Sequence, residues 1–149
     1  MTSLNTVVTA LTSTFTAADV PDLTVTDGPY VPKKLPTSQL CEVGWAGDGE
    51  DAIQIIRGQT SAGAVGGLDR VTVWSLLSAW KGDVAKTAAE GRSVLDGSLA
   101  TLIAAIEADP SLGGIGTAVF EQLRYVPTRM EGGVLAGVLF AISVTAWAD

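Results

Sequence analysis

Residues Val134–Trp147 constrain the fold more than any other stretch. Val138, Phe140, Ile142, Val144 and Ala146 alternate with Leu139, Ala141, Ser143, Thr145 and Trp147. A period of two marks a β-strand. Because both series are largely apolar, both faces of that strand must be covered, by helices or by another subunit. At about 3.3 Å per residue the run would extend roughly 45 Å, whereas strands are mostly about 5–6 residues long. It therefore bends, with Gly137 as the natural place, or leaves the body of the domain. Residues 71–80 have the same two-sided character. Val71, Val73, Leu77 and Ala79 face one way, and Thr72, Trp74, Leu76 and Trp80 the other. These two strands are expected to be central and antiparallel partners.

Two helices accompany them. Leu4, Val7, Val8, Leu11 and Phe15 recur at helical spacing. Thr2 or Ser3 can cap that helix, and Asp19-Val20-Pro21 ends it, because a residue before proline avoids the α region. Asp83 can cap a second helix with Val84, Ala88, Leu95, Leu99, Leu102, Ile103 and Ile106 as its stripe. Gly91 and Gly97 each weaken it by about 1 kcal/mol relative to alanine and leave room for a kink. Pro110, Gly113 and Gly114 stop it. Shorter strands are expected at Leu23–Asp27 and at residues 40–45, 52–57 and 118–126. The order predicts an α+β fold, a mainly antiparallel sheet of about six strands packed against two helices, in a single domain over residues 1–149. The second helix should pack on one sheet face through Leu95, Leu99, Leu102 and Ile106. The opposite face is left for the first helix or an adjacent subunit.

The chemistry available is narrow. The chain has no histidine, which removes Ser-His and Cys-His nucleophile pairs and histidine metal sites. Cys41 is the only cysteine, so no internal disulfide forms. It lies in an apolar strand and reads as a small buried hydrophobe. No glycine cluster has the lysine of a phosphate-binding loop or opens a helix. These observations argue against an enzyme and imply neither cofactor nor metal. A net charge of −7 disfavours gripping nucleic acid or anionic membranes. The first 18 residues lack a basic start and do not read as a signal peptide. Residues 132–148 are too short and too β-branched for a transmembrane helix, so no membrane partner is expected.

Three groups remain as candidate assembly features. Gly28, Tyr30, Lys33 and Lys34 lie in a proline-rich loop, and Gly58, Gln59, Gly63 and Gly67 lie in a glycine-rich one. Both lack periodicity and are expected to order against neighbours. Asp48, Glu50 and Asp51 miss the spacing of a calcium loop. A solvated turn is the plain reading, and a weak cation site or an acidic rim of an assembly are the alternatives. Trp74, Trp80 and Trp147 can fill the core, but tryptophan is also enriched at interfaces.

Several features together resemble one family. They are the amphipathic helix from Leu4 to Phe15, the short strand ending Val25-Thr26-Asp27-Gly28, and Val71-Thr72-Val73-Trp74-Ser75 running towards an alanine-rich helix. The long apolar strand to Trp147 completes the pattern. It resembles the tail terminator proteins of long, flexible-tailed bacteriophages. The resemblance implies a hexameric ring that caps the head-proximal end of the tail tube, assembled in the host cytoplasm and located in the virion neck. Its implied partners are other copies of the chain, the major tail tube protein and the head-completion (stopper) protein, with genomic DNA passing through. An acidic conduit suits that passage. The alternatives are a head-closure or tail-tube protein or, in a different class, a cytosolic α+β binding module.

Overall fold

A computed structural model describes residues 4–29, 37–47, 51–59, 68–80, 88–126 and 134–147. Its elements in chain order are α1 (Leu4–Ala17), β1 (Leu23–Asp27), β2 (Gln39–Val43), β3 (Ile53–Gln59), β4 (Leu68–Trp80), α2 (Ala88–Ala108), β5 (Thr117–Val126) and β6 (Val134–Trp147). The fold is α+β and, among the described residues, consists of one six-stranded, mostly antiparallel sheet and two helices.

The strand order is β1-β2-β4-β6-β5, and β3 also pairs with β4. As expected, β4 and β6 pair antiparallel at the centre, from Leu68↔Trp147 to Trp80↔Val134. The ladder passes through Gly137 without a register shift; the shift falls at Ala79/Trp80. β6 thus stays in the sheet along its whole length. β4 is longer than expected because Leu68, Asp69 and Arg70 join it.

One edge of β4 is shared. β2 pairs with residues 75–79 and β3 with residues 68–73, end to end along the same side. β1 then adds to β2 in parallel, from Leu23↔Gln39 to Asp27↔Val43. A parallel pair needs a crossover, and residues 28–38 carry it. At its described end, Thr37 and Thr24 share a hydroxyl–hydroxyl hydrogen bond of 2.6 Å.

The core lies on one side of the sheet. Val71, Val73, Leu77, Val138, Phe140, Ile142 and Val144 form one cluster with the helix residues Val7, Val8, Leu11, Phe15, Leu95, Leu99, Leu102 and Ile106. Phe15 of α1 meets Phe140 of β6 edge to face, with ring centroids 5.8 Å apart. From α2, Ser98 donates to Gln39 at 2.5 Å. Both helices therefore cover the same face, which rules out α1, one of the two expected covers, for the other face. Fully burying a valine, leucine or phenylalanine is worth about 1.5–3 kcal/mol each, so the four buried α1 side chains anchor it firmly. Threonines are poor helix formers, yet Thr12 and Thr16 satisfy their hydroxyls on the carbonyls of Val8 and Thr12, each at 2.8 Å. Asp19, at φ +52°, reverses the chain after α1; aspartate tolerates this left-handed region better than most residues.

Candidate assembly surface

The sheet has two features that the helices leave open. The first is the face opposite the two helices. Trp74 and Leu76 stand there half-buried beside Ala141 and Leu139 of β6. Thr72 and Ser143 share a hydrogen bond of 2.9 Å across that face, and Arg70 bridges to Glu121.

The second is β5, which ends the sheet path. Among the described residues, four large hydrophobic side chains are exposed. Three belong to β5: Val119 at 53%, Leu123 at 42% and Tyr125 at 45%. The fourth is Ile56 of β3, at 38%. A long edge strand with apolar side chains is a template for pairing with another chain. A bulge between Phe120 and Gln122 divides β5. Glu121 sits at that bulge and is held by Arg70 of β4. Beyond it, Leu123 and Tyr125 lie on the helix side, opposite Phe140 and Val138. Tyr125 donates to Asp96 of α2 at 2.5 Å, and this hydrogen bond raises the phenol above its ordinary pKa.

The α2–β5 turn sets where β5 begins. The Asp109 carboxylate accepts from the Ser111 hydroxyl at 2.5 Å and from the Gly113 amide at 2.9 Å. These bonds hold Asp109 below the ordinary carboxylate value of 3.8. The Ala118 amide then donates to the Pro110 carbonyl at 2.7 Å. Gly116 passes so close to β6 that an added Cβ would lie 2.5 Å from the Thr145 carbonyl oxygen.

The candidates from sequence are scattered. Gly28 follows β1 at φ +80° and donates to the Val43 carbonyl at 2.8 Å. Gly58 and Gln59 are not loop residues: both belong to β3, and Gln59 pairs with Leu68. The β3–β4 ladder extends further than the apolar pattern, which ends at Ile56, because backbone pairing does not require apolar side chains. Tyr30, Lys33, Lys34, Asp48, Glu50, Gly63 and Gly67 lie outside the described residues. Asp51 is exposed and borders an open hollow of about 480 Å³ with Ile53, Gln54 and Trp74. Trp74 is on the face away from the helices, while Trp80 and Trp147 sit at the ends of β4 and β6. Leu123 and Tyr125 went unnoticed in the sequence. Their alternation was visible, but which strand forms an edge depends on the sheet order.

Cys41 is fully buried, and desolvation, with the neighbouring Glu42 charge, pushes its thiol up to about 12. No group of three metal-ligating side chains occurs among the described residues. None of the described helices is long and apolar enough to cross a membrane. No family model matches the chain, and no curated protein matches it.

Proposed function

We propose that this chain is a structural subunit of a long-tailed bacteriophage virion, forming a closed ring at the head-proximal end of the tail tube. There it ends tube growth and joins the tail to the head-completion protein. The carrying observation is β5, an edge strand whose apolar side chains are exposed in the single chain. Such an edge suits a subunit whose surface is completed by neighbours. The resemblance to tail terminators supplies the place in the virion. The net charge of −7 suits a conduit that DNA traverses without being gripped.

A ring requires a heterologous contact repeated by rotation until it closes. The test is native mass with and without the tail tube protein of the same virus, followed by electron microscopy. One discrete ring, formed alone or on the tube end, is expected. Polydisperse tubes would instead mark a tube subunit. A monomer under both conditions would refute the ring.

A further inference from the structure

We propose that neighbouring copies join edge to edge, with residues 122–126 of β5 adding antiparallel to β1 of the next copy. The inference rests on the homo-oligomeric reading above and names the contact that builds it.

Strand direction is the first argument. β2 and β6 run antiparallel to β4, β1 runs parallel to β2, and β5 runs antiparallel to β6. β1 and β5 therefore point in opposite directions at the two ends of the sheet path. Two copies placed side by side in the same orientation set β5 against β1 as an antiparallel pair. That contact is heterologous, so it can repeat around a ring. β3 also has an edge, but it pairs directly with β4, whereas β1 stands beyond β2. The β3 edge is thus recessed by about one strand spacing, roughly 4.8 Å.

Side-chain register is the second argument. Leu23 and Val25 lie half-buried on the helix side of β1, opposite the buried Gln39 and Cys41. Setting Leu123 opposite Val25, and Tyr125 opposite Leu23, extends the apolar layer from one copy to the next. On the other face Arg124 then meets Thr24, and Gln122 meets Thr26. A slip of two residues one way sets Leu123 against Asp27. The other way sets Tyr125 against Pro21, which has no amide to donate. A slip of one residue is excluded because it turns every side chain to the wrong face. The bulge has a part here too. It turns Glu121 towards Arg70 on the face opposite the helices, away from Asp27 on the helix side.

A symmetric pairing of β5 with itself fits less well. The register that matches Leu123 with Tyr125 places Arg124 directly against Arg124 of the second copy, and like charges so placed are destabilising. The register centred on Leu123 sets Tyr125 against the bulged Glu121.

Cysteine cross-linking tests the contact. The double variant Val25→Cys/Leu123→Cys is oxidised at high protein concentration beside each single variant and beside Val25→Cys/Val119→Cys. Cys41 stands opposite Val25 on the same face of the sheet, so every variant also carries Cys41→Ala, which leaves the new thiols without an internal partner. A covalent ladder is expected from the first double variant, at least tenfold above every control. Dimer formation by Leu123→Cys alone would overturn the proposal in favour of the symmetric contact. A ladder no stronger than the control would overturn it outright. Native mass of Leu123→Lys separates this idea from the ring itself. That side chain is already 42% exposed, so the fold should tolerate lysine. Dissociation to monomer is expected. An unchanged ring would overturn the edge contact and leave the ring standing, whereas a wild type that never assembles would remove both.

Discussion

The hydroxyl of Ser75 is buried in the core without a hydrogen-bond partner. It sits on β4 between Val43 of β2 and Phe140 of β6, both fully buried. Leaving such a group unsatisfied costs about 1–3 kcal/mol. Ser75→Ala should therefore stabilise the chain by about 1 kcal/mol, read as a higher urea midpoint at an unchanged slope. Gly116→Ala should do the reverse. A Cβ 2.5 Å from the Thr145 oxygen forces the backbone of β5 or β6 to move, and overpacking of this kind costs about 1–3 kcal/mol. Cys41 should resist thiol reagents at neutral pH until the protein unfolds, since burial and a pKa of about 12 leave almost no accessible thiolate. Its burial was legible from the apolar run around it. The orphaned state of Ser75 was not, because it depends on what three strands bring together.

At the level of elements, what the sequence made legible followed periodicity. The alternation along β4 and β6 identified the central pair, and the stripe Leu95, Leu99, Leu102 and Ile106 identified the buried side of α2. The parallel pairing of β1 with β2 was hidden, because a crossover leaves no periodic trace. The two-sided apolar character of β6 suggested layers on both faces, yet both helices lie on one. Leu139 and Ala141, on the face away from the helices, are nevertheless buried. Phe140→Asp should leave the chain unfolded or insoluble, because an unpaired carboxylate at a fully buried site costs several kcal/mol. Val119→Asp, on the exposed edge, should change monomer stability by no more than about 0.5 kcal/mol. The α2–β5 turn should respond to acid. Asp109 is depressed below its ordinary value, so its contribution is fully present above the unfolded carboxylate pKa and is lost as pH falls through the folded one. Below pH 4 the wild type should lose more of its urea midpoint than Asp109→Asn does.

For the whole molecule, the sequence pointed to assembly through loops and tryptophans; among the described residues, the exposed large hydrophobic side chains gather mainly on a sheet edge. Loops attract notice because they lack pattern. An edge strand looks like any other strand until the sheet order is known, and that order depends on contacts far apart in the chain. The same remoteness bears on how the protein comes into being. β6 lies between β4 and β5 in space but follows both in sequence. The Leu68↔Trp147 pair closes a loop that encompasses α2 and β5. During synthesis β4 and β5 therefore emerge with their inner edges unpaired and must wait for the strand that joins them. Long-range pairing of this kind folds slowly, and unpaired edges invite aggregation in the interval. The nascent chain passes through a stage at which its future centre is open, and a ribosome-bound chain stalled before Val134 should be the species that most readily recruits chaperones.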